Sequence, residues 1–554
     1  MFNELNLNKI YTDFDSKEIK NDINQIYAFI SDLSNILTKI VKIKDVEKFI
    51  EISNNTIVLI DKIASFSRLH LYLNTNNAKA VNLLNKIEEV EIKFKKIQSK
   101  FLNNISLTTI EEYSSNSECI YNHKYILKQL KFNDYNINFS YNSKYEQEYN
   151  KLISSNKITI NQTIYPINYT SFDFLINNKL NKIKNNYLQA RNDIFYLHEE
   201  DYANILFNIK NKTNNLIKSL GFSTPLEMSL FSAGLNMTTL NALLNSIENN
   251  RNIFSKYLDN DFSILSDNKL YTIDDAKNAI YSAFLLFDTS LFKLAFDLFN
   301  NQLINLDNNK DKIIGSCHLK ILFLKESRIV GHFNGKIKDI FQIAHELGHA
   351  YQNYLIMHSQ TPLNSNVPTS TCEIISTFCE LLVLDYLLRE TANLKEKKII
   401  LSNFINYSIQ AILDIYARFL FEDEIFNLIN NGAKSLDYNY LNELMLKSQM
   451  ESYGNSKYLD EHLWIYKPHF YSISAPYYNY SYALGLLYAL VLFDNFKKMP
   501  RNKFVNLFTS FCQKSGCSDF FELSSLFDIN SSDKTSFNSA FALLNRMIND
   551  YLSL

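Results

Sequence analysis

Apolar residues recur at three- and four-residue steps along most of the chain, which is the spacing of one face of an α-helix. This pattern predicts a series of packed amphipathic helices over residues 17–135. A polar stretch at 137–162 then interrupts the periodicity, and a second helical series is expected from about residue 170. We therefore predict an N-terminal helical domain at 1–160 and a second, larger domain at 161–554. The periodicity is clearest at Ile87, Val90, Phe94, Ile97 and Phe101.

One stretch departs from the helical pattern. Residues 315–333 are bounded by glycines and are rich in β-branched and aromatic side chains, which predicts a short β-hairpin. From about residue 336 the pattern returns to helix. Four prolines mark loops in this last part of the chain, at Pro362, Pro368, Pro468 and Pro476. We find no repeat of fixed period, so a solenoid is not expected.

The composition supports a mostly helical fold of two to four structural units. The 554 residues include only 10 Gly and 7 Pro, too few for a turn-dense all-β architecture. The 56 basic and 58 acidic side chains leave a net charge of −2, which argues against a nucleic-acid partner.

The sequence predicts a cytoplasmic protein that does not enter a membrane. The N-terminus lacks the apolar core of a secretory signal, and the longest apolar stretch, at 482–493, is shorter than the ~20 residues needed to cross a bilayer. The six cysteines show neither a disulfide framework nor a C-x-x-C pair, which favours reduced thiols. The sequence does not indicate an oligomeric state.

A metal-binding pattern occurs within the predicted helix at 338–356. His345 and His349 are four residues apart, so their rings project side by side and can bind one ion. Glu346 lies next to the same face, where it can hold a water molecule without binding the metal itself. At the observed frequencies of His and acidic residues, H-E-x-x-H arises by chance about 0.02 times in a chain of this length. The motif therefore predicts a zinc site.

A catalytic zinc ion needs a third protein ligand and an open fourth position. The metzincin pattern is excluded, because Gln352 and Leu355 stand where it requires Gly and His. The next predicted helix offers Glu373, with Glu380 on the same face seven residues later. We predict Glu373 as the third ligand and Glu380 as a carboxylate that orients a ligand. Zinc binding by the cysteines of the same helix stays open as an alternative; they are Cys372 and Cys379.

Three blocks of sequence resemble the thimet-type zinc metallopeptidase family, and within it oligoendopeptidase F. They are AHELGHAYQ at 344–352, CEIISTFCE at 372–380 and HFYSISAPYYNYSYALG at 469–485. The resemblance implies an almost entirely helical fold, with a small β-sheet beside the zinc helix and two halves enclosing a deep substrate channel. The chain departs from the family pattern at Gln352, where a histidine is frequent, and at Tyr477, where Phe is usual.

Carried over residue by residue, the resemblance implies one Zn²⁺ per chain, bound by His345, His349 and Glu373, with Glu346 as general base. It also implies oxyanion donors in the third block. The donors expected there are His469, Tyr478 and Tyr480. Sequence alone does not fix the register, so Tyr477 and Tyr482 stay open as alternatives to the two tyrosines. Without the resemblance, such a tyrosine-rich run would indicate ordinary aromatic packing.

We predict a zinc-dependent endopeptidase that hydrolyses short unstructured peptides, because a deep channel excludes folded proteins. Two alternatives stay open. A related H-E-x-x-H carboxypeptidase or aminopeptidase would keep the zinc and remove only terminal residues. A non-catalytic helical peptide-binding protein would keep the motif without using it.

Overall fold

The computed structural model describes residues 5–37, 40–132, 144–168, 182–259, 269–454 and 459–554. Helices dominate these residues and the β-sheets are small, which confirms the predicted fold class. The expected start of a second helical series near residue 170, and part of the polar stretch at 137–162, lie outside the described residues.

The helices and strands follow one another along the chain with few long gaps. Before residue 260 the α-helices are Lys17–Asn35, Ile43–Leu73, Ala78–Asn103, Leu107–Ser114, Glu118–Lys131, Lys144–Ser155, Lys184–Tyr196, Glu199–Ser219, Pro225–Ser232, Met237–Asn250 and Ser255–Leu258. Later α-helices are Ile273–Phe287, Thr289–Asn300, Ile337–Ser359, Thr369–Glu390, Leu394–Ile409, Ile415–Asn430, Tyr438–Tyr453, Leu463–Tyr466, Tyr480–Lys498, Arg501–Lys514, Phe520–Ser525 and Asn538–Ser553. The strands are β1 (Ile158–Ile160), β2 (Thr163–Tyr165), β3 (Ile304–Asn305), β4 (Cys317–Ile321) and β5 (Glu326–Val330).

Short helical turns connect some of these elements. Among the described residues, 3₁₀-helices occur at Arg251–Phe254, Pro362–Ser365, Pro468–Tyr471 and Lys534–Phe537. Gln410–Asp414 forms a π-helical turn between two α-helices. Within the described parts of the chain, no helix is both long and apolar enough to span a bilayer.

The chain forms two compact units, each assembled from three separate stretches. The first unit comprises Met1–Ile137, Lys269–Ala392 and Tyr488–Ser531. The second comprises Asn138–Asn268, Asn393–Leu487 and Ser532–Leu554. Stretches of the two units alternate along the chain, whereas the sequence predicted two consecutive domains. The boundary between 1–160 and 161–554 therefore stays a prediction.

In the first unit, the N-terminal helices pack on the predicted hairpin. Strand β4 pairs antiparallel with β5, and β3 adds to β5 in parallel, so that β4 is an edge strand. Ile321 and Val330 of the hairpin are buried in the same core as Phe49 and Phe101, whose rings stack at 4.5 Å. The predicted hairpin is thus confirmed, and β3 is an addition that the sequence did not indicate.

A buried carboxylate fastens the hairpin turn to the N-terminal helices. Asp61 accepts a hydrogen bond of 2.8 Å from the backbone N–H of Leu322, at the turn between β4 and β5. Burial raises the pKa of Asp61 to about 6, although this hydrogen bond and the positive charges of Lys320 and Arg68 partly oppose the rise. The folded protein therefore favours the neutral form of Asp61.

Replacing Asp61 by Asn should change how stability depends on pH. Because the folded pKa lies above the unfolded value, the contribution of Asp61 is fully present below pH 4 and is lost as the pH rises through 6. We expect D61N, which keeps an acceptor for Leu322, to be more stable than the wild type by about 2 kcal/mol at pH 7.5 and no more stable at pH 4. Chemical denaturation of both proteins at the two pH values measures this, and a difference independent of pH would contradict it.

The second unit has its own aromatic core. Trp464 is fully buried there, and the rings of Tyr149 and Tyr471 stack at 3.8 Å. A buried ion pair joins Arg191 to Asp460 at 2.8 Å. The Pro468–Tyr471 turn belongs to this core, so the third block of the family-like sequence begins on a rigid support.

Candidate metal centre

The helix Ile337–Ser359 carries the H-E-x-x-H motif and begins at a well-defined N-terminus. Gly335, with φ of 76°, makes the turn that precedes the helix. The carboxylate of Asp339 then accepts the backbone N–H groups of Asn334 and Lys336, at 2.7 and 3.0 Å, which satisfies donors at the helix start. The following apolar positions are buried and fix the rotation of the helix, including Ile340, Ala344 and Leu347.

The helix Thr369–Glu390 packs directly on this motif helix at a glycine. A Cβ atom added to Gly348 would lie 2.7 Å from Cα of Ser376 and 3.0 Å from the carbonyl oxygen of Ile375. Only glycine permits this backbone approach, because real Cβ contacts are longer. The close contact brings the two glutamates of the second helix to the histidines of the first.

We expect Gly348→Ala to lower both stability and metal affinity, because the two helices must separate to admit the new methyl group. Overpacking of this kind costs about 1–3 kcal/mol. Thermal unfolding and zinc titration of the purified variant measure the two effects. Lys338→Ala, at an exposed position of the same helix, is the control and should change neither. An unchanged zinc affinity in G348A would contradict the role assigned to this contact.

His345, His349 and Glu373 come together as one group of possible metal ligands. One donor atom from each residue lies within 4.8 Å of the other two. The Nε2 atoms of His345 and His349 are 3.1 Å apart, and Nε2 of His345 is 3.4 Å from Oε2 of Glu373. The cysteines of the second helix, Cys372 and Cys379, do not belong to this group.

Glu380 sets the orientation of His345. Its Oε1 atom is 2.6 Å from Nδ1 of His345. The carboxylate accepts a hydrogen bond from Nδ1–H, so Nε2 carries the lone pair and faces the other ligands. Burial alone would lower the pKa of His345, but the hydrogen bond and charge of Glu380, with the charges of Glu373 and Glu346, raise it to about 9. These carboxylates therefore favour positive charge at the centre of the group.

His349 has the opposite electrostatic character. Burial holds its pKa well below the usual range, and the positive charges of His345 and His318 lower it further. Its ring is therefore neutral and keeps a free electron pair for a cation.

Glu346 is buried beside the group and is held by strand β4. Glu346 is only 7% exposed, and its carboxylate accepts a hydrogen bond from the backbone N–H of His318. Burial raises the pKa of Glu346 to about 6, and the charge of Glu373 adds to the rise. A carboxyl group with such a pKa exchanges a proton readily near neutral pH.

The sequence did not indicate two residues that adjoin Glu346. His318 lies on β4, with its ring centroid 6.1 Å from that of His349 and its Nε2 atom 2.9 Å from Oγ of Ser327. Tyr72, at the end of the Ile43–Leu73 helix, is close enough for the charge of Glu346 to raise the pKa of its hydroxyl, although burial is the larger cause. Both approach the site through the tertiary fold, and no local motif marks them.

The residues of the third block have three different surroundings in the second unit. His469 is partly exposed, and its Nε2 atom has no hydrogen-bond partner among the described residues. The hydroxyl of Tyr478 lies 2.6 Å from that of Tyr482, and Tyr478 is 39% exposed. Tyr480 is 2% exposed, and its hydroxyl is 3.1 Å from that of Ser229.

Tyr477, where the family usually has Phe, uses its hydroxyl in the interior of the second unit. It donates a hydrogen bond of 2.8 Å to Oδ1 of Asp423. This contact explains how the extra hydroxyl is tolerated in a buried side chain.

The fold and the site together define a mostly helical protein with a His-His-Glu group on two adjacent helices. Residues 269–519 match the family model described as Peptidase family M3. The match includes the three residues of the ligand group, the general-base candidate Glu346 and the third block.

The chain is also similar to individual proteins. The chain is 23% identical over 372 residues to an oligoendopeptidase F homolog of Borreliella burgdorferi, a match that covers 62% of this chain and 61% of the relative. It thus spans less than two thirds of that protein. Among solved structures, a Chlamydophila abortus protein described as a candidate peptidase has a TM-score of 0.81 at 18% identity, covering 99% of this chain and 98% of the other. Oligoendopeptidase F of Enterococcus faecium has a TM-score of 0.62 at 14% identity, covering 97% of each chain.

Proposed function

We propose that the chain is a zinc-dependent endopeptidase that hydrolyses short unstructured peptides. The observation that carries this proposal is the convergence of His345, His349 and Glu373, with Glu346 buried beside them. The match of residues 269–519 to the model of Peptidase family M3 supports it.

The ligand group fits one zinc ion. Zinc with ligands at about 2.0–2.1 Å in tetrahedral geometry places neighbouring donor atoms about 3.3 Å apart. The separations measured from Nε2 of His345 are 3.1 Å to His349 and 3.4 Å to Glu373. Two imidazoles and one carboxylate are also a usual donor set for catalytic zinc, in which the fourth position stays open.

His345, His349 and Glu373 would hold the zinc ion, which would supply a water with a pKa lowered to ~7 and a Lewis acid for the scissile carbonyl group. Glu346 accepts a proton from the attacking water and later donates it to the leaving amine. The backbone N–H of His318 holds the Glu346 carboxylate in place, and Glu380 fixes the tautomer of His345. Glu346 therefore acts in proton transfer, and Glu380 orients His345.

We assign the oxyanion donors to the third block, as the resemblance implies. Nε2 of His469 suits this task because it lacks a partner in the described parts of the chain. Tyr478 is exposed, and its hydroxyl would have to exchange its hydrogen bond with Tyr482 for one to the oxyanion. Tyr480 stays in the proposed set, but its hydroxyl must break its hydrogen bond with Ser229 before it can donate one to the oxyanion.

The outer edge of β4 is a possible contact for extended peptides. Among the described residues β4 pairs with a strand on one side only, but the N–H of His318 is bound by Glu346 and the carbonyl of Lys320 accepts a hydrogen bond from Ser65. An extended peptide would therefore pair with the remaining backbone groups of β4. Recognition through the backbone selects an extended chain more than particular side chains. The substrate channel between two halves stays a prediction from the family.

Peptides blocked at both ends test the proposal against its alternatives. We expect the zinc-loaded protein to cleave such peptides internally and to lose this activity when a chelator is added, as measured by mass spectrometry of a peptide library. Cleavage that requires a free terminus would instead identify a carboxypeptidase or an aminopeptidase. Binding without any cleavage would identify a peptide-binding protein.

A further inference from the structure

Arg418 and Asn479 of the second unit carry nitrogen donors without partners among the described residues, and His469 lies near them. Nε of Arg418, Nδ2 of Asn479 and Nε2 of His469 are buried atoms, and none has a hydrogen-bond partner within the residues that the structure describes. Buried donors are rarely left unpaired. The two donors of Arg418 and Asn479 therefore point to a ligand that accepts hydrogen bonds.

Arg418 and Asn479 hold each other in a fixed arrangement. Nη1 of Arg418 is 3.4 Å from Oδ1 of Asn479, and Nη2 of Arg418 is hydrogen-bonded to the carboxylate of Asp414. Because Arg418 only donates, it must face the oxygen of the Asn479 amide, which directs Nδ2 elsewhere. Asn479 is 7% exposed, so its unpaired NH₂ group lies in the interior.

Three cationic residues lie near His469. Burial is the main reason that the pKa of His469 lies well below its usual range, and the charges of Arg418, Lys467 and Lys210 lower it further. Lys210 is paired with Glu422 and Arg418 with Asp414. Nη2 of Arg418 binds Asp414 and Nη1 faces Asn479, so Nε is the guanidinium donor that remains for an oxygen ligand. A hydrogen bond from an arginine N–H to a carboxylate is charge-assisted and therefore strong.

We propose that Arg418 and Asn479, beside His469, form a binding site for a carboxylate of a peptide. This inference deepens the proposed peptidase function and depends on it only for the nature of the ligand. The carboxylate has two possible sources, the C-terminus of the peptide and an acidic side chain. Both present the same two oxygen atoms, and the experiment separates them.

Peptide binding to the full chain in its zinc-loaded form tests the site. The parent protein carries Glu346→Gln, so that bound peptide is not consumed. Isothermal titration compares two peptides without acidic side chains that differ only in a free or an amidated C-terminus. We expect the free acid to bind about tenfold more tightly, as one charge-assisted hydrogen bond allows. A third, amidated peptide with one internal Glu, compared with its Gln counterpart, tests an acidic side chain as the source.

Asn479→Asp is the decisive variant, because it keeps the size of the side chain and the acceptor for Arg418 but replaces the NH₂ donor with a negative oxygen. We expect this variant to bind the free-acid and the amidated peptide about equally well. Asn479→Ala, which adds no charge, should reduce the preference to about threefold. Asn215→Asp, at an exposed position of the Glu199–Ser219 helix, is the charge-matched control and should retain it.

The outcomes separate this inference from the proposed function. A preference that survives N479D, or equal binding of all peptides by the parent, overturns the carboxylate site. If the preference behaves as expected but protein with Glu346 intact cleaves no peptide, the site stands and the peptidase function fails. If peptides are cleaved without any carboxylate preference, the peptidase function stands and the carboxylate site fails.

Discussion

Replacing Glu346 by Gln is expected to lower the rate of peptide hydrolysis by about a thousandfold or more, because general acid–base catalysis contributes about 10²–10⁴. Gln has the same size and still accepts the N–H of His318, but it cannot take up a proton. Binding of zinc should be retained, since Glu346 is not among the three residues of the ligand group. Hydrolysis of an internally quenched peptide, together with zinc content, measures both quantities.

Glu89→Gln provides the matched control for this experiment. Glu89 is exposed on the Ala78–Asn103 helix, so the same chemical change there should leave hydrolysis unaffected. A Glu346→Gln protein that keeps its zinc and hydrolyses peptides at the wild-type rate would contradict the role of Glu346 as general base.

Local spacing was sufficient to predict the parts of the site that lie on single helices. His345 and His349 are one helical turn apart, and this periodicity does not depend on the rest of the fold. Glu373 and Glu380 are likewise two turns apart, and both carboxylates approach His345 in the structure. The contact between the two helices could not be derived from spacing. It depends on Gly348, whose missing side chain allows the approach.

The surroundings of Glu346 required the tertiary fold. His318 contributes a backbone N–H, which every residue except proline possesses, so its identity gives no signal in the sequence. The hairpin itself was predictable from its β-branched residues. Strand β3, by contrast, has only two residues and pairs with β5 across a long connection, so no periodicity could reveal it.

The same distinction applies to the tyrosines of the third block. Their sequence pattern places several hydroxyl groups within six residues but does not determine which are exposed. The structure separates Tyr478, which is 39% exposed, from Tyr480, which is 2% exposed and hydrogen-bonded to Ser229. Ser229 is 251 residues away along the chain, and only folding brings it to Tyr480.

Two glutamates of one helix should affect zinc binding to very different extents. We expect Glu373→Gln to weaken zinc affinity by about a thousandfold, because it removes one of three ligands that share about 10–16 kcal/mol of binding free energy. Glu380→Gln should weaken it only about 10- to 100-fold, because it disturbs the orientation of His345 without removing a ligand. Competition with a zinc chelator of known affinity measures both, and Glu390→Gln, exposed on the same helix, is the control. Equal losses in the first two variants would contradict the assignment of Glu373 as ligand and Glu380 as its orienting partner.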